Sequence, residues 1–350
     1  MKIVCYAWKE LAHSQAGGSE QYVDVLVRNL IKIGHEVTLV AGGPVGTRDY
    51  TTVDAGGTYT QYLKVPISNF LANSYDLGID VANGVAHCSP LWSRRPSILV
   101  WHHLHAEQWD RFFPFPIAKF GKFFERSVLP KIYQNSAVIV VSESSKAELL
   151  TIGFNPSQIF LIPNAVDQTK LDLKKADEPT YVALGRLVPQ KRIGMLLDIW
   201  GSVRNQVGGT LQIIGEGPLR NELEQRRVPG VQFLGYVSND EKSRLLAQAW
   251  LLLHSSEREG WGISITEAGM QRTPSVGFSV PGVKDSIING QTGFLAQSPE
   301  EFARYWLDLR FDNELRNKFG LAAQSYASNF SEAISLQILG DALKFALNQS

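Results

Sequence analysis

The chain has 350 residues, 44% of them hydrophobic, and its 34 basic side chains balance 34 acidic ones. This length predicts two domains, the composition excludes a disordered chain, and the zero net charge argues against a nucleic-acid-binding protein. The two cysteines, Cys5 and Cys88, make no disulfide framework, and no apolar run approaches the ~20 residues that span a bilayer, so we expect a cytoplasmic protein without a signal peptide.

Strands and helices alternate in the first half of the chain. Residues 3–8 and 36–41 are short β-rich apolar runs, and residues 20–33 between them carry apolar side chains at helical spacing. A strand, a helix and a strand in this order make a βαβ unit, which implies a parallel sheet. Further elements are predicted as strands at 97–101, 137–142 and 158–162 and as a helix at 146–150, capped by Ser142 or Ser144.

A second α/β series follows a charged stretch without periodicity at 171–179, which is typical of an interdomain linker. We therefore predict domains over 1–170 and 180–330 and a final helix over 331–350. The fold class is α/β, with two Rossmann-like doubly wound domains that face a central cleft and bind ligands beyond the carboxyl ends of their strands. The second series is predicted as strands at 181–185, 210–215, 250–254, 275–278 and 292–296 and as helices at 192–207, 241–249 and 267–272.

A glycine-rich turn, Gly17-Gly18-Ser19-Glu20, separates the first strand from the first helix. Glycine lets a ligand approach the backbone closely, and a helix N-terminus offers free N–H groups and a partial positive charge. The turn therefore suits a phosphate or a developing oxyanion, or it is an ordinary strand-to-helix connection.

Two cations, Arg186 and Lys191, flank a turn at the end of the first strand of the second domain. Arginine offers a planar fork of donors and lysine a point charge, and both suit a pyrophosphate. Their place at the carboxyl end of a strand favours ligand binding over the alternative of two solvated surface side chains.

Two carboxylates, Glu259 and Glu267, flank a turn that contains Gly260 and Gly262. Carboxylates accept hydrogen bonds from sugar and ribose hydroxyls, and the N–H groups of a glycine-rich turn can reach a ligand. Glu267 is expected to start a helix, where the helix dipole alone would favour a carboxylate. The glycine-rich turn beside the carboxylate pair favours a ligand site.

Four of the seven histidines, His87, His102, His103 and His105, lie close together in the sequence. A metal site needs side chains that converge, whereas the adjacent His102 and His103 are expected to point apart. No carboxylate motif accompanies them. We therefore predict no metal, one histidine that is catalytic or contacts a sugar, and structural roles for the others.

Residues 111–133 combine aromatic side chains with lysines and arginines. Such a segment can lie on an anionic membrane, or it can pack into the core of its own domain. The first interpretation predicts a peripheral contact with the inner face of the membrane.

Together these motifs resemble those of the family 4 glycosyltransferases, retaining enzymes with the GT-B fold, over nearly the whole chain. The most specific part is 259–267, EGWGISITE, which looks like the family's E-x7-E motif. The supporting segments follow in family order: 17–20 (GGSE), 141–144 (VSES), 162–167 (IPNAVD), 185–187 (GRL) with Lys191, 215–218 (GEGP) and 291–294 (QTGF).

The resemblance implies that the second domain binds a nucleotide-sugar donor. Arg186 and Lys191 would bind its pyrophosphate, and Glu267 would bind the ribose hydroxyls. Glu259 would contact the transferred sugar and phosphate, together with the backbone N–H groups of Gly262, Ile263 and Ser264.

For the first domain the resemblance implies acceptor binding. Gly17 and Gly18 would close the phosphate site, and His102 fits the family's histidine near the donor sugar, which makes it catalytic together with Glu259, Arg186 and Lys191. In this fold the last helix commonly crosses back to the first domain. Three positions depart from the family pattern, because Ala165, Arg192 and Arg272 stand where glycine is usual, and we expect an effect on loop conformation and donor fit.

The chemistry follows from the leaving group, because breaking the anomeric C–O bond places charge on the nucleotide diphosphate. No two aspartates are spaced i, i+2, so the Asp-x-Asp motif with which many transferases hold a metal is missing. Arg186, Lys191 and the helix N-terminus at Gly18 are predicted to stabilise that charge instead, without a metal or another cofactor.

The sequence thus predicts a metal-independent retaining glycosyltransferase of polysaccharide biosynthesis. It would move a hexose-type sugar from a UDP- or GDP-linked donor to a glycan or lipid-linked acceptor. Two alternatives stay open: a nucleotide-sugar epimerase or hydrolase on the same fold, and a non-catalytic nucleotide-sugar-binding subunit of a polysaccharide assembly complex.

Overall fold

The computed structural model describes residues 1–13, 16–57, 59–72, 75–105, 109–110 and 113–349, with the backbone alone for 68–72. It divides into two compact units, a first unit of Met1–Pro163 with Ser335–Ser350 and a second unit of Asn164–Ile334. Within the described residues no helix is both long and apolar enough to cross a bilayer.

The division falls after Pro163, whereas the sequence suggests residue 170 and a linker at 171–179. The stretch after Pro163 has no helix or strand, but it is hydrogen-bonded to the second unit. The Val166 amide donates to the Phe330 carbonyl at 2.9 Å, and the Ala176 amide donates to the Gln248 carbonyl at 2.9 Å. Residues 171–179 therefore lie along the second unit instead of forming a free linker.

The first unit contains a seven-stranded parallel sheet in the order β3-β2-β1-β4-β5-β6-β7. Most of its strands are continuous apolar runs buried on both faces, as is typical of a parallel sheet covered by helices. The strands are β1 Lys2–Ala7, β2 Glu36–Ala41, β3 Thr51–Asp54, β4 Leu77–Ala82, β5 Ser97–Trp101, β6 Ala137–Val140 and β7 Ile159–Leu161.

Two helices of the first unit pack an apolar stripe against this sheet. Helix Gly18–Lys32 places Tyr22, Leu26 and Leu30 in the core beside Ile3. The last helix, Glu332–Asn348, contributes Leu339, Ala342, Leu343 and Ala346 to the same core. The other helices are Gln61–Ala72, Phe115–Phe123, which continues as a π-helix at Phe124–Val128, Leu129–Ile132 and Glu143–Thr151, whose N-cap is Ser142.

The second unit repeats this architecture around a six-stranded parallel sheet in the order β10-β9-β8-β11-β12-β13. Its strands are β8 Thr180–Leu184, β9 Thr210–Ile214, β10 Val231–Gly235, β11 Leu251–His254, β12 Ser275–Phe278 and β13 Gly293–Ala296. Its helices are Ile193–Val207, Arg220–Gln225, Asn239–Gln248, Ile263–Met270, Val283–Ser286, Pro299–Phe311 and Asn313–Ala327. Both units are thus Rossmann-like, which confirms the predicted α/β fold class.

Some elements have no counterpart in the sequence prediction. They include the strands Thr51–Asp54, Leu77–Ala82 and Val231–Gly235 and the helices Gln61–Ala72, Pro299–Phe311 and Asn313–Ala327. Strand β4 shows why, because Asp80 interrupts its apolar run. The buried Asp80 carboxylate accepts hydrogen bonds from the Ser89 amide at 2.8 Å and from the Tyr133 hydroxyl, and these partners leave no local signal.

His87 is a buried histidine at the loop that follows β4. It is 3% exposed, and its ring lies 4.7 Å from the Tyr62 ring and 5.5 Å from the Tyr6 ring. Neither ring nitrogen has a hydrogen-bond partner among the described residues. Burial lowers the pKa of His87 to about 4, so the ring is neutral at pH 7.

We predict that this histidine makes the first unit sensitive to acid. Its folded pKa lies below the unfolded value of about 6.5, so its contribution to stability is present above that pH and is lost as the pH falls toward 4, by about 1.4 kcal/mol per pH unit. His87→Phe should therefore show a smaller decrease of the unfolding midpoint between pH 7 and pH 5 than the wild type in urea titrations. An equal decrease in both proteins would contradict this explanation.

Candidate functional site

The loops at the carboxyl edge of the second sheet are joined by backbone hydrogen bonds. In the loop after β8, the Leu187 amide donates to the Glu216 carbonyl at 2.8 Å, which links this loop to the loop after β9. The Glu257 amide donates to the Gln190 carbonyl at 3.0 Å, and the Glu259 amide donates to the Pro281 carbonyl at 3.1 Å. The loops that carry Arg186, Lys191 and Glu259 therefore form one surface, as expected for parallel strands that end at one edge.

Two glycines allow these loops to approach so closely. A Cβ at Gly215, whose φ is +135°, would overlap the Gly185 carbonyl oxygen. A Cβ at Gly282, whose φ is +79°, would overlap the carbonyl group of Glu259. Larger side chains at either position would push the loops apart.

Glu259 is the centre of the polar contacts on this surface. Its Oε1 atom accepts hydrogen bonds from Lys191 Nζ, from His254 Nε2 at 3.0 Å and from Ser256 Oγ at 2.7 Å. Burial opposes ionisation of this carboxyl, but the charge of Lys191 and the bond from His254 outweigh it, so the pKa of Glu259 lies well below its usual range. Glu259 is therefore a carboxylate that holds the Lys191 ammonium at the carboxyl edge.

His254 connects this carboxylate to a helix N-terminus. Its Nδ1 atom lies 3.3 Å from Ser264 Oγ, in the first turn of helix Ile263–Met270. Gly262 precedes the helix in the left-handed conformation with a φ of 91°. The first N–H groups of a helix have no intrahelical partner, so Ile263 and Ser264 present donors beside a partly buried ion pair. This arrangement suits an anionic ligand.

Glu267 occupies a different position from the predicted one. The expectation that it starts a helix was wrong, because the left-handed Gly262 begins the helix at Ile263 and Glu267 lies in the helix interior. Its Oε1 accepts a hydrogen bond from Lys242 Nζ at 2.6 Å. Burial raises the pKa of Glu267, and the charge of Lys242 opposes that rise. The side chain is half-buried and lies on the same helix face as Ile263, one turn away.

Arg186 lies on the loop after β8, on the surface of the second unit. Its side chain is exposed, whereas Lys191 on the same loop is half-buried. The chain between them forms a short 3₁₀ turn, Pro189–Lys191. The loop thus carries one accessible guanidinium and one ammonium that is held by Glu259.

The predicted residues of the first unit lie at the carboxyl edge of its own sheet. Gly17 is the N-cap and Gly18 the first residue of helix Gly18–Lys32, and the Gly17 amide donates to Glu20 Oε2 at 2.7 Å. A Cβ at Gly18 would meet none of the described residues within 4 Å. His102 follows β5, and its ring meets the Tyr22 ring of the same helix at 5.3 Å.

His102 is a neutral histidine in this environment. Burial, with a smaller contribution from His105, lowers its pKa to about 4. Its Nε2 atom is buried and has no hydrogen-bond partner among the described residues. A neutral imidazole with an unsatisfied nitrogen can donate or accept one hydrogen bond to a ligand hydroxyl.

The other clustered histidines have separate contacts. The rings of His103 and His105 stack at 4.5 Å, and His105 lies between Glu125, at 3.2 Å, and Asn83, at 3.1 Å. Within the described ranges no three metal-ligating side chains come together.

Sequence analysis did not select His254, Ser256 or Lys242 as members of the site. His254 carries a usable signal, since it is a polar residue at the last position of a buried apolar strand. Ser256 follows it in the next loop. Lys242 lies on helix Asn239–Gln248 and meets Glu267 through tertiary packing alone, so its sequence position gives no indication.

The fold is shared with solved structures, and two family models match the sequence. The crystal structure of Anabaena Alr3699/HepE in complex with UDP and glucose superposes with a TM-score of 0.75 at 20% identity, over 98% of this chain and 99% of that chain. The family model described as Glycosyltransferase Family 4 matches residues 16–170, and the model described as Glycosyl transferases group 1 matches residues 167–326. The chain therefore has the GT-B fold, and the two glycosyltransferase family models together match residues 16–326.

The curated relatives of this chain are distant. An uncharacterized glycosyltransferase of Methanocaldococcus jannaschii is 26% identical over 154 residues, which are 42% of this chain and 43% of the relative. The poly(ribitol-phosphate) alpha-N-acetylglucosaminyltransferase of Staphylococcus aureus is 26% identical over 209 residues, which are 57% of this chain and 42% of the relative. The chain thus spans less than half the length of either of these two relatives.

Two of the departures from the family pattern occur where the backbone is left-handed. Arg192 has a φ of +47° and Arg272 a φ of +56°, which explains why glycine is usual at both positions. In this chain the Arg192 side chain offsets the strain. Its Nε donates to the Ser255 carbonyl at 2.9 Å and its Nη2 to the Ser256 carbonyl at 3.1 Å. Arg192 therefore anchors the loop that carries Glu259.

We predict that Arg192 stabilises the second unit in spite of its backbone conformation. Arg192→Gly should lower the free energy of unfolding, because each lost bond from a charged donor is worth about 1.5–3 kcal/mol. Arg192→Ala should lower it further, since alanine keeps the left-handed strain of about 1–2 kcal/mol. Urea unfolding of the three proteins followed by tryptophan fluorescence gives this order.

Arg227 provides the matched control. It is an exposed residue of the second unit with a φ of +46°. Arg227→Gly should leave the protein as stable as the wild type or slightly more stable, because it relieves strain without loss of a packed side chain. If Arg192→Gly also stabilised the protein, the anchoring role of Arg192 would be refuted.

Proposed function

We propose that this chain is a metal-independent retaining glycosyltransferase that moves a hexose-type sugar from a nucleotide-diphosphate sugar to a glycan or lipid-linked acceptor. The observation that carries the proposal is the Lys191–Glu259 ion pair beside the N-terminus of helix Ile263–Met270. A cation and free helix N–H groups on one surface suit a pyrophosphate, and the carboxylates suit sugar hydroxyls.

In this proposal the second unit binds the donor. Lys191 is held by Glu259 before the donor arrives, so its ammonium is positioned and turns to the diphosphate when the donor binds. Arg186 is exposed on the same loop and supplies a guanidinium to the same group. Glu267 exchanges its bond with Lys242 for the ribose hydroxyls. Glu259 accepts hydrogen bonds from hydroxyls of the transferred sugar. The N–H groups of the helix N-terminus donate to the phosphate nearest to that sugar.

The proposed reaction needs no protein nucleophile. The anomeric C–O bond breaks, and the charge on the departing diphosphate is stabilised by Lys191, Arg186 and the helix N-terminus. The leaving phosphate oxygen accepts the proton of the acceptor hydroxyl, which attacks from the same face and retains the configuration. In the first unit, Gly17, Gly18 and His102 are the proposed contacts for the same reaction.

The donor base is proposed as uridine first and guanosine second. The structural relative from Anabaena is in complex with UDP and glucose, which supports UDP-glucose as the first donor to test.

We predict that Lys191→Met lowers the rate of sugar transfer by about 10²–10³, because the developing phosphate charge loses a positioned donor. Glu267→Gln should mainly raise the KM for the donor. The measurement is transfer from UDP-glucose and GDP-sugars to a panel of glycan and lipid acceptors, with NMR of the product to read the anomeric configuration. The rate should be the same with Mg²⁺ and with EDTA.

Lys318→Met is the control, because Lys318 is an exposed lysine on helix Asn313–Ala327 of the same unit. It should transfer sugar at the wild-type rate. Near-wild-type transfer by Lys191→Met would refute the assigned phosphate site. An isomerised or hydrolysed sugar nucleotide without acceptor would support the epimerase or hydrolase, and tight nucleotide binding without turnover would support a binding subunit.

We further propose that the first unit touches an anionic membrane through helix Phe115–Phe123. This helix buries Ala118 and Gly121, while Phe115, Phe120 and Phe123 are 76%, 66% and 58% exposed. The exposed basic residues Lys119 and Arg126 accompany these rings.

Arg111 and Phe112, which begin the predicted segment, lie outside the described residues. Aromatic rings with lysine and arginine suit the boundary of an anionic bilayer, where a lipid-linked acceptor would be found.

The double variant Phe120→Ser, Phe123→Ser is predicted to lose most of its co-sedimentation with phosphatidylglycerol vesicles at low salt, because the apolar contact with the bilayer is removed. Phe311→Ser is the matched control, since Phe311 is a 65% exposed phenylalanine of the second unit. It should sediment like the wild type. Absence of binding by the wild type would exclude the membrane contact. The proposed transfer to a soluble glycan would not be affected by that result.

A further inference from the structure

A second cationic region of the second unit lies far from the donor surface along the sheet. It is a cavity of about 440 Å³ beside the starts of β11 and β12. Trp250 directly precedes β11, and Arg272 lies just before β12. At the other end of β11, His254 is the last residue of the strand and Glu259 lies in the loop that follows. The cavity therefore opens at the amino edge of the sheet. The lining residues used below are Lys175, Trp250, Arg272, Arg310, Asn313 and Arg316.

The cavity collects positive charge without paired acids. Within the described part of the chain, none of Lys175, Arg272, Arg310 and Arg316 forms an ion pair with a carboxylate. Asp312 is the acidic side chain that attracts Arg316 from nearby, and it caps helix Asn313–Ala327 by accepting a bond from the Leu315 amide. Like charges gathered at a half-buried site repel each other, so the cluster favours an anion.

Several donors in the cavity remain available. Arg310 Nε donates to the Val207 carbonyl at 2.7 Å, and Arg272 Nε donates to Gln324 Oε1 at 3.0 Å. The terminal nitrogens of both guanidinium groups have no hydrogen-bond partner among the described residues. The bond to the Val207 carbonyl, at the end of helix Ile193–Val207, therefore uses Nε of Arg310. It leaves the terminal nitrogens of the guanidinium available to a ligand.

Lys175 and Arg316 also line the cavity, and hydrogen bonds hold both side chains in place. Lys175 Nζ donates to Thr273 Oγ1 at 2.5 Å and to the Gln271 carbonyl at 3.3 Å. Arg316 is buried, and its guanidinium bonds the Leu309 carbonyl at 2.7 Å and Asn313 Oδ1 at 2.7 Å. Burial, followed by the charges of Arg316 and Arg272, lowers the pKa of Lys175 to about 7. An anion in the cavity would reverse this effect.

We propose that this cavity binds the phosphate group of a small soluble molecule. The guanidinium forks of Arg272 and Arg310 with the Lys175 ammonium match the charge and the several oxygens of a phosphate. The volume exceeds that of a phosphate alone and leaves space for a small organic body. Trp250 packs against two of the arginines, because the guanidinium carbons of Arg316 and Arg310 lie 4.1 Å and 4.9 Å from its ring centre.

The test uses Lys175 as a reporter within the whole protein. A lysine whose amine is partly neutral at neutral pH reacts with an acetylating reagent, and a bound anion protects it. We expect pyrophosphate, titrated at constant ionic strength with chloride as the reference anion, to slow acetylation of Lys175 as read by mass spectrometry of the peptide. Lys191→Met should show the same protection, which separates this cavity from the donor surface and from the proposed function.

Arg272→Gly is the informative variant, because glycine favours the left-handed φ of +56° and the substitution removes one cation without a backbone cost. The pyrophosphate concentration for half-protection should rise about tenfold or more, the loss expected for charged hydrogen bonds. Arg227→Gly, the same change at a φ of +46° away from the cavity, should leave it unchanged. Absence of protection in the wild type, or an equal shift in both variants, would overturn the proposal.

Discussion

The carboxyl edge of the second unit depends on one largely buried carboxylate, that of Glu259, whose side chain is 15% exposed. Glu259 accepts three hydrogen bonds on a single oxygen, from Lys191, His254 and Ser256, and these donors come from the loop after β8, the end of β11 and the loop that follows it. A buried charge with one partner removed costs several kcal/mol, about 3–5 in comparable cases. The same bonds that satisfy Glu259 therefore fix the position of the Lys191 ammonium, so a stability requirement also arranges the proposed donor site.

The parts of the fold that follow from local pattern were predictable from the sequence. The βαβ start, the strand ends that carry Arg186 and Lys191, and the paired glutamates all have short-range signals of apolar runs, glycines and charge. The partners of those residues have none. Lys242 meets Glu267, and Glu257 meets Gln190, through strands and helices that only the folded sheet brings together. The start of helix Ile263–Met270 was missed for a similar reason, because a left-handed Gly262 looks like any other loop glycine in the sequence.

A glycine preference in a family describes a backbone angle, and a side chain can meet that requirement in another way. Arg192 has a left-handed φ, yet its guanidinium bonds two carbonyl groups and lies 4.7 Å from the Phe278 ring centre. The strain of about 1–2 kcal/mol is smaller than the worth of those charged bonds. Arg272 shares the left-handed angle, but among the described residues its guanidinium makes one hydrogen bond, to Gln324 Oε1. The strain there is therefore not offset to the same extent. The residue is then better explained by its charge than by its contribution to the loop.

The second sheet thus has cations at both edges, in two different states. At the carboxyl edge, Lys191 is neutralised by Glu259 in the proposed donor site. At the amino edge, Lys175 faces Arg272 and Arg316 without a paired carboxylate among the described residues. Strand β11 runs between the two edges of the sheet. Trp250 directly precedes the strand and packs against two arginines, and His254, its last residue, bonds Glu259. A ligand that neutralised the amino edge would relieve repulsion around Trp250, at the start of the strand whose last residue positions Glu259.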